Sequence, residues 1–301
     1  MSIPVFWFIV LSALLYFAIL GGAVWLASRR RKSRWPFKDA DKLLRGPGET
    51  LKRRIAEIDD RFIYEFIGGW VAGLLAFCLI ALAASKLGGL TDGHSFYAGS
   101  LGLVACMAIS GRRIVRLLRE RTNYYLGWFG ERFVAEKLEP LRANGWRIFH
   151  DVPAEGGAKG FNLDHVAVGS PGIAVVETKT RRKGRARPGF EDYVVVYDGR
   201  QLIWPWGEDQ HGLAQAKAEA DWLRKWIQKC TGIDTPVKPI LALPGWWVKI
   251  KARGVVSVVN PSWNPTWLVE AVEANGDASL TAQQIDLIAR QLEARCRDVE
   301  D

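Results

Sequence analysis

The sequence contains no CxxC pair and no cluster of cysteine with histidine. Its four cysteines are scattered: Cys78 and Cys106 lie inside apolar runs, and Cys230 and Cys296 stand alone. That pattern argues against structural zinc and against a disulfide framework. No lysine or arginine precedes the first apolar core, and no convincing cleavage site follows it, which argues against a signal peptide. From Arg112 onward there is neither an internal repeat nor a low-complexity linker, so this part is expected to form one α/β domain.

What is present pulls in two directions. The chain is 49% hydrophobic, yet it carries a formal net charge of +9 and an isoelectric point near 9.5. A membrane part and a basic, water-facing part would reconcile the two. Ile3–Ala27, Ile67–Ser85 and Ser95–Gly111 are free of charge and read as about three transmembrane helices, the third at the short end of spanning length. A buried helical hairpin is the alternative for the second and third. The loop between them, Lys86–His94, is short and polar, which favours two spans.

Basic residues follow the first span (Arg29, Arg30, Arg31, Lys32, Arg34), precede the second (Lys52, Arg53, Arg54) and follow the third (Arg112, Arg113, Arg116, Arg119, Arg121). The positive-inside rule then places the N-terminus outside a cell membrane and both basic regions in the cytoplasm. Topology alone accounts for the run Arg29–Arg34. The expected organisation is a transmembrane helix over 1–27, a basic cytoplasmic linker over 28–65, two further spans over 66–111, and a cytoplasmic domain over 112–301. That domain would have its core at 123–260 and a C-terminal helix at 281–297.

Within it, a helix is expected over Asn123–Leu138 and a strand over Trp146–His150, followed by a loop around Gly156-Gly157. Two hairpins come next. The first lies in FNLDHVAVGSPGIAVVETKT (Phe161–Thr180); the second joins Tyr193–Tyr197 to Gln201–Trp204 across Asp198-Gly199, a strong turn signal. A helix over Gly212–Lys229, strands over Val237–Leu243 and Gly254–Val259, and a capping box opening at Thr281 complete a mixed α/β order.

The first hairpin poses the chemical question, because charged residues inside strands oppose both β propensity and burial. With Gly169–Gly172 as its loop, Val166 faces Val175 and Asp164 faces Glu177. Lys179 shares their face, since side chains alternate with period two. Directly opposed carboxylates destabilise a sheet. A hard divalent cation between them reverses the sign, and Lys179 beside it would stabilise charge on phosphate or help to activate water. On the preceding helix, Glu131, Val134, Ala135 and Leu138 fall on one face, so Glu131 sits on the apolar stripe and needs a partner. A structural ion pair between Lys179 and a strand-end acid is the bland alternative.

The segments FGERFVAEKL, NLDHVAVG and PGIAVVETKT, with Gly184, closely resemble the nuclease-related domain (NERD) family, a branch of the PD-(D/E)XK nuclease superfamily. Gly130-Glu131 matches its helix motif, Asn162–Val166 its first strand and Glu177-Thr178-Lys179 its second. Gln215, within LAQAKAEADWL, matches a glutamine on its later helix. The resemblance weakens after about Leu223. The loop Arg181–Phe190 is more basic than that family suggests, and the apolar segments lie outside it.

The resemblance implies a restriction-endonuclease-like α/β core that hydrolyses phosphodiesters with Mg²⁺ or Mn²⁺. Asp164 and Glu177 would ligate the metal, with Glu131 in its inner or outer sphere. Lys179 would hold the attacking water or the developing charge, and Gln215 would orient water or contact the phosphate. Arg181, Arg182, Lys183, Arg185 and Arg187 would neutralise phosphates of a nucleic acid, most simply DNA, or lie near anionic lipids of the bilayer. A non-cleaving, membrane-tethered nucleic-acid-binding or scaffold protein is the runner-up, and a protein-binding membrane adaptor the third reading. A homo-oligomer or an activating protein partner is compatible with any of them.

His165 and His150 invite a metal-ligand or general-base reading, but His165 points away from Asp164 in this register and is expected to be structural or to support the site from behind its ligands. Trp222 and Trp226 are expected in the core, and Trp246-Trp247 in an interfacial patch beside Lys249 and Lys251.

Overall fold

The computed structural model describes residues 43–86, 91–154, 161–262, 266–273 and 279–297, together with Ala18, Gly21, Gly22, Trp25 and Gly89. The first expected span, the Arg29–Arg34 run and the Gly156-Gly157 loop lie outside these, apart from the isolated positions named. The chain divides into two compact units: residues 1–40 with 59–118, and residues 41–58 with 119–301.

Two long helices, α1 (Glu49–Lys86) and α2 (Asp92–Leu138), run through both units. In the first unit they form a hairpin whose contacts use small residues. A Cβ on Gly73 would meet Leu103, and one on Gly99 would meet the Phe77 carbonyl. Phe77 and Phe96 stack edge-to-face at 5.5 Å, and the Ser110 hydroxyl donates to the Glu65 carbonyl at 2.9 Å. Outward from this seam the surface is apolar, with Leu79 and Leu101 exposed. Among the described residues, α1 alone is long and apolar enough to cross a membrane, with a window of mean hydropathy 2.3 that is 11% buried. Ser95–Gly111 is the start of α2 and continues unbroken into the second unit's helix.

The second unit is α/β with two mixed sheets. After a 3₁₀ turn (Glu139–Asn144) come β1 (Arg147–Ala154), β2 (Phe161–Gly169) and β3 (Gly172–Thr178), then β4 (Val194–Tyr197), β5 (Leu202–Trp204) and β6 (Gly207–Asp209). Helix α3 (His211–Thr231) leads to β7 (Val237–Ala242), β8 (Trp247–Ile250) and β9 (Ser257–Val259), followed by α4 (Thr266–Glu273) and α5 (Ala282–Cys296). The larger sheet has the order β1-β2-β3-β7-β9 and the smaller β6-β5-β4-β8. β1, β2 and β3 pair antiparallel, whereas β3-β7-β9 and β4-β8 pair parallel.

The period-two alternation of β2 and β3 sorts their side chains onto two cores. Val166, Val168, Ile173 and Val175 face α3 and α5 through Leu223, Ile227, Ile288 and Leu292. Ala167, Ala174 and Val176 face the end of α2 and α4 through Val134, Leu138 and Leu268. The small residues on that second face let α2 approach closely. Each fully buried leucine here is worth about 1.5–3 kcal/mol of transfer free energy. A third core joins the smaller sheet to the start of α3 through Trp204, Trp246, Leu213 and Leu241. The expected capping box is present: the Thr281 hydroxyl accepts from Gln284 N–H, and the Gln284 side chain accepts from Thr281 N–H.

Candidate active site

The β2–β3 hairpin has the expected register, running from Gly169↔Gly172 through Val166↔Val175 to His165↔Val176. The backbone pairing ends there, and beyond it a side chain joins the two strands: Asp164 Oδ2 accepts from Thr178 N–H at 2.7 Å. Parity puts Asp164, Glu177 and Lys179 on the face covered by α3. Leu241 on β7 pairs with Glu177, and Lys179 N–H donates to Ala242 O at 3.0 Å. The catalytic candidates are thereby fixed to the middle of the larger sheet.

A hydrogen-bonded chain connects them to α3. Lys179 Nζ lies 2.7 Å from Glu177 Oε1 and 2.8 Å from Gln215 Oε1. Gln215 Nε2 donates to Glu219 Oε1 at 2.8 Å. The lysine only donates and the carboxylate accepts, so this orientation of the Gln215 amide is the one that satisfies both. Glu219 was not among the residues the sequence suggested. Its signal was available, because Gly212, Ala216, Glu219, Ala220 and Leu223 form the buried stripe of α3.

α2 passes the end of β3 closely enough that a Cβ on Gly130 would collide with the Thr180 side chain. Only glycine permits that approach, and it brings the next residue, Glu131, into the cluster. Glu131 is buried and feels Asp151, Glu177 and Lys179. Burial first, then Asp151 and Glu177, push its pKa up to about 8, against Lys179 and a backbone hydrogen bond from Gly48. Burial and Glu177 push Glu219 up to about 9. Asp164 is raised well above the carboxylate range by burial, Glu177, Glu131 and Glu219, although part of its surface stays open to solvent. Burial works against charge on Lys179, but Glu177, Asp164 and Glu219 outweigh it and raise its pKa.

Four carboxyl groups thus share one lysine. Glu177 Oε2 and Glu219 Oε2 are buried without a hydrogen-bond donor, and a proton retained on Glu219 is one way to supply it. A hard divalent cation is another, and carboxylate oxygens are the donors such a cation prefers. Among the described residues, no three His, Cys, Asp or Glu side chains already converge as a ready-made metal site. The donor chemistry fits the ion; the arrangement with Lys179 on Glu177 is one that a bound cation would have to rearrange.

Beside this cluster lies another buried carboxylate, Asp151, which the sequence did not single out. It lies within β1, between His150↔His165 and Val152↔Leu163, at φ 49°. Its Oδ2 accepts from Thr50 N–H at 3.0 Å and Thr50 Oγ1 at 2.8 Å and pairs with Arg45 at 3.0 Å. Its Oδ1 accepts from Asn162 Nδ2 at 3.1 Å. Arg45 N–H also donates to Cys296 O at 3.0 Å. The segment before α1 is thereby clasped onto the sheet. Gly48, at φ +68°, lies so tightly against α2 that a Cβ would stand 2.8 Å from Trp128 Cδ1 and 3.4 Å from Glu131 Oε2.

On the opposite face, His165 and His150 share a hydrogen bond of 2.9 Å between their Nδ1 atoms. Burial lowers both pKa values, that of His150 to about 4. His165 Nε2 has no partner.

The basic loop lies along the smaller sheet, and its cations differ in what they have left to offer. Arg181 is ion-paired with Asp209 and lies over Trp204. Arg187 donates to the carbonyls of Pro205 and Trp204 and covers Phe190. Arg182 reaches the Thr122 carbonyl at 3.4 Å. Lys183 and Arg185 are exposed. Trp222 and Trp226 pack against the core of the α3 face. Trp246 is not interfacial: it is buried, and its indole N–H donates to Arg181 O at 3.2 Å. A Trp in that turn is the natural plug between the two sheets, and Trp247 alone of the pair faces out.

No curated protein and no solved structure shows significant similarity to this chain. Residues 126–244, which include Glu131, Asp164, Glu177, Lys179, Gln215 and Glu219, match the family model of NERD, the nuclease-related domain.

Proposed function

We propose that the chain is a membrane-anchored, divalent-metal-dependent nuclease that hydrolyses phosphodiester bonds of DNA on the cytoplasmic face. The observation that carries this reading is the buried cluster Glu131–Asp164–Glu177–Glu219, short of positive charge and served by Lys179, inside the segment that matches a nuclease-related domain. A binding module gains nothing from such crowding, which costs stability whenever it is not neutralised. The mixed sheet with helices on both faces supports reading the fold as restriction-endonuclease-like.

Asp164 and Glu177 would hold Mg²⁺ or Mn²⁺, with Glu131 beside them. The bound ion supplies a polarised phosphate and an acidified water. Lys179, released from Glu177, would hold the attacking water or the charge that develops on phosphate. Gln215 fixes the Lys179 ammonium and, through its amide, ties it to α3. Thr178 N–H keeps Asp164 aimed along the strand end. Membrane attachment is supported by the outward apolar surface of α1, by its small-residue seam with α2, and by the basic residues at the helix ends.

One observation favours the non-cleaving alternative: Lys179 already neutralises Glu177, as a structural ion pair would. The two are separated by incubating the full-length chain in detergent with plasmid, linear duplex, single-stranded DNA and RNA. Each is tested with Mg²⁺, Mn²⁺ or EDTA, beside Glu177→Ala and Lys179→Ala. Metal-dependent cleavage lost in both variants supports the nuclease and names its substrate. Binding without cleavage, equal in wild type and variants, supports the scaffold.

A further inference from the structure

From the same aromatic and basic features that flank the strand ends, we infer that Trp247, Tyr193 and Lys183 form a stacking subsite for an unpaired nucleobase, so that the nucleic acid bound here is single-stranded or locally opened. The inference rests on the nucleic-acid reading above and narrows its substrate.

A cavity of about 490 Å³ opens at this place, within the range of ligand pockets, about 300–1,000 Å³. Buried Trp246 forms its floor. Tyr193, just before β4, and Trp247, the first residue of β8, are tied by Trp247 N–H donating to Tyr193 O at 3.0 Å. Both rings are largely exposed, at 44% and 52%. Lys183 Nζ sits 6.0 Å from the ring centroids of both Tyr193 and Trp246, a cation at the rim where a phosphate would pass. Asn260 and Ser262 complete the lining. Asn260 spends Oδ1 on Ser262 N–H at 3.0 Å, and its amide N–H groups take no part in that bond, so they can donate to the edge of a base.

Position joins this cavity to the carboxylates. Lys183 is four residues beyond Lys179, a reach of at most about 14 Å of extended chain, and Arg181 O between them anchors the Trp246 indole. The subsite and Lys179 are therefore close enough for one bound strand to reach both. Stacking on a protein ring needs a free π-face, which a base inside a duplex does not present. An anionic lipid headgroup shares the attraction to Lys183 but has no aromatic face to stack, and a concave site with hydrogen-bonding edges suits a base better than a bilayer.

The test is fluorescence anisotropy on the full-length chain in detergent with EDTA, where nothing is cut. A labelled oligothymidylate and a labelled hairpin duplex are the probes, for wild type, Trp247→Ala, Trp247→Phe and Tyr193→Ala. The aromatic truncations are expected to weaken single-strand binding about 5- to 150-fold, the range for one lost base stack. The duplex should be affected little, and Trp247→Phe should restore most of the loss. Unchanged single-strand binding in Trp247→Ala overturns the inference, as does an equal loss for both probes. Displacement by soluble glycerophosphoserine but not by free thymidylate makes this a lipid site and also overturns it. A parallel cleavage assay with Mg²⁺ keeps the two readings apart. Cleavage that survives Trp247→Ala alongside unchanged binding removes the subsite and leaves the nuclease. Binding that depends on Trp247 without any cleavage does the reverse.

Discussion

Asp151 and Glu177 are carboxylates of the same sheet, 3% and 2% exposed, and they have opposite fates. Asp151 is saturated: Thr50 twice, Arg45 and Asn162 occupy both its oxygens. Glu177 has Lys179 on one oxygen and no donor on the other, and three further carboxyl groups crowd it. Burial of charge is thus no guide to function by itself. A buried carboxylate that the fold has fully paired is a fastening; one that the fold has left short of positive charge is a place where something else binds.

That contrast breaks if the two sites respond alike to mutation. Asp151→Ala leaves Arg45 as an uncompensated buried charge and should cost about 3–5 kcal/mol of stability, read by denaturant unfolding of the full-length chain. Glu177→Gln should leave stability within about 1 kcal/mol of wild type or raise it, since it relieves repulsion at the price of one ion pair. The same change should lower metal-dependent cleavage about 10²–10³-fold, equivalent to 2.7–4 kcal/mol. If Glu177→Gln unfolds the chain as Asp151→Ala does, the cluster is structural.

A cation sharpens the comparison from the other side. Mg²⁺ at about a hundred times its Kd should stabilise the wild type by about 2.7 kcal/mol, and do nothing for Glu177→Gln. A further lever is pH on the metal-free chain. Glu131 and Glu219 have folded pKa values raised from 4.5 to about 8 and about 9, so the folded state binds more protons than the unfolded one across that window. Stability is greatest below pH about 4.5 with respect to these groups and falls as pH rises through about 8 to 9. Mg²⁺ should flatten the slope, as should Glu131→Gln with Glu219→Gln.

The residues readable from sequence are those whose constraints are local. The register of β2 and β3 followed from a tight turn between two glycines. The inward aim of Glu131 followed from helical spacing over Glu131–Leu138, and α5 from its capping box. Asp151 was invisible because its partners Arg45 and Thr50 lie far away in the chain and its φ of 49° has no signature. Glu219 sat in an alanine-rich helix whose polar residues mostly face water, and only its place on the stripe set it apart. Strands β6 and β8 and helix α4 are short, and their pairing is set by the smaller sheet and by the core rather than by any periodicity of their own. Trp246 was misread because a double tryptophan beside lysines looks like a surface, and the turn buries one ring while presenting the other.

The clasp on Asp151 also has a schedule. Thr50 and Asp151 are 101 residues apart in the chain. At about 5–20 residues per second, the ribosome needs roughly 5–20 s after making the first to make the second. Through that interval Arg45, Gly48 and Thr50 have been synthesised without the sheet they fasten to. The position of Gly48 against Glu131 is therefore settled only after β1 and β2 exist, and any truncated product ending before them lacks the fastening as well as the carboxylates.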